Sequence, residues 1–89
     1  MPIFIVERRY ADELEASAEL ADGINRINQE EDVRWLYSFL SADKRKTYCL
    51  YEAPSPEAIK RAARRAGLPA DVIVEVTEQV LPDGATASL

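Results

Sequence analysis

Between Val33 and Leu40 the chain repeats with a period of two and yet is apolar on both sides, with Val33, Trp35, Tyr37 and Phe39 on one and Leu36 and Leu40 joining Arg34 and Ser38 on the other. Aromatic and β-branched residues at this spacing predict a strand, and one with both faces covered. Lys46 to Glu52 resumes the pattern after the polar, turn-like stretch Ser41 to Arg45, so a hairpin is expected. A third strand is expected between Pro2 and Tyr10, where Ile3, Phe4, Ile5 and Val6 precede Glu7 and Arg9. A last one is expected from Val72 to Val80, where Val72, Val74 and Val76 alternate with Ile73, Glu75 and Thr77.

Helical periodicity fills the intervals. From Ala11, apolar residues recur at Leu14, Ala18, Ala21, Ile24 and Ile27, with Asp12 as the expected N-cap and an end near Glu30 or Glu31. Gly23 within this stretch suggests a kink or a close packing contact. Ser55 caps a second helix with Pro56 at its first position, and Gly67 ends it. Lys60, Arg61, Arg64 and Arg65 crowd its C-terminal half, where cations complement the helix dipole, so a solvated face is expected there and not an RNA patch.

The order is βαββαβ, which points to an α+β, ferredoxin-like domain: a four-stranded antiparallel sheet with two helices on one face. The domain is expected over residues 1–81, with 82–89 a flexible C-terminal tail. Two helices cover one side of such a sheet, whereas these strands are apolar on both. A second copy stacked on the bare side would make a homodimer, resembling a dimeric α+β barrel. A monomer with exposed aromatics, or with a ligand groove under a loop, is the alternative.

Composition removes several functions. A net charge of −5 argues against nucleic acid as a partner, since phosphate binding rests on Lys and Arg. No run approaches the ~20 apolar residues of a membrane span. A secretory signal is not expected, because Glu7, Arg8 and Arg9 interrupt the short opening run; with one cysteine, the cytoplasm is the expected setting. There is no histidine, which removes the usual general base, nucleophile activator and transition-metal ligand. Paired cysteines, a Gly-rich phosphate loop and a nucleophile elbow are all missing.

What remains is a short set of candidates. Trp35, Tyr37, Cys49 and Tyr51, with Glu7, could line a ligand pocket; the aromatics could instead pack a core or dimer interface. Cys49 reads as a small buried hydrophobe, or as a reactive thiol or soft metal ligand. Glu7, Glu52 and Glu75 lie in strands among apolar neighbours, where one could serve as an acid or base, or simply pair with Arg9 or Arg34.

The segments Trp35-Leu36-Tyr37-Ser38-Phe39, Thr47-Tyr48-Cys49-Leu50-Tyr51-Glu52-Ala53-Pro54, Ala66-Gly67-Leu68-Pro69-Ala70 and Glu75-Val76, with the opening Met1-Pro2-Ile3-Phe4-Ile5-Val6-Glu7-Arg8, resemble the small nickel-binding protein family, long catalogued as a domain of unknown function. The likeness spans about residues 1–80. It implies a dimeric ferredoxin-like fold and, in members that bind metal, Ni(II) held largely by imidazoles. Such members would carry one histidine where this chain has Tyr37 and another near Ala62, so nickel is not carried over, and no metal ligand is assigned. The expectation is a dimeric binding module for a small or aromatic ligand. A cofactor-independent enzyme of the oxygenase or isomerase type and a protein-interaction module are the alternatives.

Overall fold

The computed structural model describes all 89 residues. Strand β1 (Ile3–Arg9) leads to helix α1 (Ala18–Glu30), then to β2 (Arg34–Leu40), β3 (Lys46–Glu52), helix α2 (Pro56–Ala66) and β4 (Val72–Val76). The four strands form one sheet in the order β2-β3-β1-β4, with every neighbouring pair antiparallel. This is the expected α+β, ferredoxin-like arrangement, in which each helix connects two parallel strands that are not neighbours in the sheet. No helix is long and apolar enough to cross a membrane.

The core lies between the sheet and α2. Phe4 and Val6 of β1 and Cys49 and Tyr51 of β3 are buried against Ala58, Ile59 and Ala62 of α2. Alanines at these positions let the helix approach the sheet closely, and its termini are fixed as the sequence predicts. The Ser55 side chain accepts from the Ala58 N–H at 3.3 Å, and Gly67 takes the left-handed conformation at φ 69°. Arg61 and Arg65 at the other end pair with Glu31 at 3.0 and 3.1 Å, joining α2 to the end of α1.

Three sequence expectations give way. Helix α1 starts at Ala18, not near Ala11: Ser17 is its N-cap, accepting from the Leu20 N–H at 3.1 Å. The backbone before it is claimed by the β2–β3 turn, through Tyr10 N–H to Arg45 O at 2.8 Å and Leu14 N–H to Lys44 O at 2.7 Å. Those long-range bonds compete with the first helical turns and win. Gly23 makes no close contact, so nothing within 4 Å explains a glycine there.

The second concerns β2. A β-bulge between Trp35 and Tyr37 shifts the register, so that Trp35 lies opposite Tyr51 while Tyr37 lies opposite Leu50. The extra residue turns the alternation over. Trp35, Ser38 and Leu40 therefore share the helix-covered face with Cys49 and Thr47, and Tyr37 and Phe39 project from the other, in edge-to-face contact at 5.6 Å.

The third concerns the end of the chain. In place of a frayed tail, β5 (Glu78–Val80) and β6 (Thr86–Ser88) form a two-stranded hairpin. Its turn holds Pro82, Asp83 and Gly84, where the Asp83 carboxylate accepts from the Ala85 N–H at 2.9 Å and Gly84 takes φ 86°. Proline, aspartate and glycine in this order suit a turn, a signal present in the sequence. The Leu89 N–H closes the hairpin onto Thr77 O at 3.1 Å.

Candidate functional site

Helix α1 contributes one buried residue, Asn28, because much of its apolar side faces a cavity and not packed side chains. The cavity has a volume of about 210 Å3. Its sheet wall is built by Arg8 and Tyr10, by Trp35, Ser38 and Leu40 of β2, and by Thr47, Cys49 and Tyr51 of β3. The opposite wall is Leu14, Ala16 and Ser17 of the connecting segment together with Leu20, Ala21 and Ile24 of α1. The same backbone bonds that delay the helix thus hold this segment over the cavity. The Arg45 side chain adds a third, donating to Ala11 O at 2.8 Å.

Polar groups in the wall are satisfied mostly by one another. Trp35 Nε1 donates to Ser38 Oγ at 2.8 Å, Tyr10 Oη and Thr47 Oγ1 lie 2.8 Å apart, and Cys49 Sγ donates to Thr47 Oγ1 at 3.4 Å. Arg8 is 3% exposed. It donates through Nη1 to Pro69 O and through Nη2 to Tyr51 Oη at 3.2 Å, with its guanidinium 5.6 Å from the Tyr51 ring centre. Burial pushes the Tyr51 and Tyr10 hydroxyls above their ordinary pKa, opposed chiefly by Arg8 at Tyr51 and by the Thr47 hydrogen bond at Tyr10, so both remain neutral at physiological pH. Burial disfavours the Arg8 charge, but Tyr51 and its other neighbours outweigh that and its pKa is raised.

Of the residues singled out from sequence, Trp35, Cys49 and Tyr51 meet in this cavity. Tyr37 and Glu7 do not. Tyr37 is turned to the open face by the bulge. Glu7 lies on that face too, one residue out of phase with the inward Phe4, Val6 and Arg8, and pairs with Lys46 at 3.6 Å and Arg9 at 3.8 Å. Glu52 pairs with Arg34 at 3.9 Å, Glu75 is exposed, and neither lines the cavity. Sequence reasoning passed over Arg8, although the two-residue period from Phe4 through Val6 lands on it.

A family model described as nickel responsive protein SCO4226-like matches residues 4–76. The chain belongs to the SCO4226-like family. The crystal structure of SCO4226 from Streptomyces coelicolor A3(2) is similar with a TM-score of 0.73 and 28% sequence identity, over 83% of this chain and 94% of that one. No curated protein sequence matches the chain.

The donor set of this family member does not fit nickel. It has no histidine, and nowhere do three Cys, Asp or Glu side chains come together as a metal would require. Tyr37 stands on the open face, and Ala62 is packed into the core. Cys49 is a single soft donor among hydroxyls.

Proposed function

We propose that this chain is a small-ligand-binding member of the family that works without nickel. The observation that carries the reading is the partly open, largely apolar cavity under α1, with a few convergent polar groups and an indole in its wall. Its volume of about 210 Å3 exceeds that of an engineered apolar cavity of about 150 Å3 known to hold benzene, so one small ring with a substituent can enter. No carboxylate lines it, which leaves an acid–base enzyme without a conventional base and favours binding over catalysis. A single unpaired thiol, Cys49, suits a reducing compartment, and the cytoplasm is the setting we assign.

The module works as a homodimer on this reading. Ile5, Tyr37, Phe39, Tyr48, Val72 and Val74 are all exposed on the sheet face that the helices leave bare. Together they offer on the order of 600 Å2, so two copies stacked face to face would bury about 1,200 Å2, the lower bound of a stable interface. The rim carries both signs, Glu7 with Lys46 and Arg9, and Glu52 with Arg34. A two-fold pairing places like patches together, so a mixed-sign rim suits it.

Trp35 is the only tryptophan and lies in the cavity wall, so its fluorescence reports occupancy directly. Saturable quenching or a spectral shift on titration with small aromatic solutes is expected. Native mass spectrometry of the isolated protein should show a dimer, with or without extra mass. An unchanged Trp35 signal across such a panel would remove the binding reading.

A further inference from the structure

The cavity wall contains a charge, Arg8, for which the chain supplies no carboxylate counterion. Arg8 is buried at 3% exposure, yet none of the ion pairs within 4.0 Å includes it, and no Asp or Glu lines the cavity. A guanidinium offers five N–H donors, and the protein supplies acceptors for two groups only, Nη1 at Pro69 O and Nη2 at Tyr51 Oη. Its Nε has no hydrogen-bond partner at all. A buried charge without a counterion is costly, and an apolar residue there would be cheaper unless the charge meets something. The neighbouring tyrosines cannot supply that anion at physiological pH, since their pKa values are raised.

Resting on the reading of this cavity as a binding site, we infer that its ligand is a small organic carboxylate, whose acid group pairs with Arg8 and whose apolar body fills the space beside Trp35 and α1. Guanidinium and carboxylate match in geometry, and the low-dielectric wall strengthens the pair. The Tyr51 hydroxyl is held at Arg8, and Tyr10 and Thr47 line the same cavity, so neutral donors are available beside the charge. The apolar remainder of the wall selects against acetate or inorganic anions, which would leave it empty. Arg8 is then the specificity-determining residue.

The test compares phenylacetate with phenylacetamide, which share a shape and differ in charge, in a carboxylate-free buffer, by calorimetry and Trp35 fluorescence. A preference of roughly 10- to 100-fold for the acid is expected, the range of a charge-assisted hydrogen bond, with acetate weaker than both. In Arg8→Met the preference should vanish while the amide still binds, and Arg8→Lys should recover part of it. The comparison within the native protein stands even if a variant fails to fold. Equal affinity for acid and amide would overturn the carboxylate assignment and leave the cavity as a neutral apolar site, with Arg8 serving only to tie β1 to Pro69. Binding of neither would overturn both readings.

Discussion

Phe39 is 66% exposed on the open sheet face, so truncating it tests the proposed homodimer. That exposure corresponds to about 150 Å2 of aromatic surface. At ~25 cal/mol per Å2 it contributes about 3–4 kcal/mol to an interface that covers it fully, and a two-fold axis counts each residue twice, for an upper bound of about 7 kcal/mol. Alanine retains some apolar surface and the partner relaxes around it, so about half is the expected loss. Phe39→Ala should then raise the dimer dissociation constant roughly 300-fold. Within one chain Phe39 meets Tyr37 edge-to-face and lies opposite Tyr48, and at an exposed position such as this the substitution should alter the stability of the isolated fold by only about 0.5 kcal/mol. Light scattering behind size exclusion over a dilution series measures the mass, and circular dichroism checks the fold. A wild-type protein that remains monomeric at high concentration, or a variant that dimerises as tightly as wild type, refutes the account of the bare face.

Four further outcomes follow from particular residues. Ser17→Ala should cost about 1 kcal/mol in denaturant unfolding while Asp12→Ala changes little, because Ser17 and not Asp12 caps α1. Gly67→Ala, which forces a side chain into φ 69°, should cost about 1–2 kcal/mol, read as a lowered melting temperature. Arg61 and Arg65 hold the Glu31 carboxyl below its ordinary pKa, so its contribution is full at neutral pH and is lost as pH falls through the lowered folded value; acid unfolding of Glu31→Gln should show a shallower pH dependence in that window, and added salt should narrow the difference. Calorimetric titration with Ni(II) should give no saturable heat, and a stoichiometric tight site would contradict the reading of the donor set.

What the sequence determined by itself is the element order and the lower helix–sheet architecture that follows from it. Period-two and period-3.6 patterns are local, and so are Ser55, Pro56 and Gly67, whose capping roles depend on nothing far away. The Pro82-Asp83-Gly84 turn was equally local and signalled the final hairpin, although the short strands around it carry too little apolar pattern to draw attention. Membership of the SCO4226-like family was legible in the motifs of β2, β3 and the end of α2.

The site was decided by tertiary structure. One bulged residue in β2 sent Trp35 to the cavity and Tyr37 to the open face, against an unbroken alternation in the sequence, because register is set by pairing with β3. Hydrogen bonds from Tyr10 and Leu14 to a turn some thirty residues away held the segment before α1 out of the helix and made it a wall of the cavity. Arg8 is one of three consecutive charged residues in the sequence, and only the pleat of β1 buries it while leaving Glu7 and Arg9 on the other face. Composition gives the charges a chain carries; which of them lose their water is fixed by contacts between residues far apart along it.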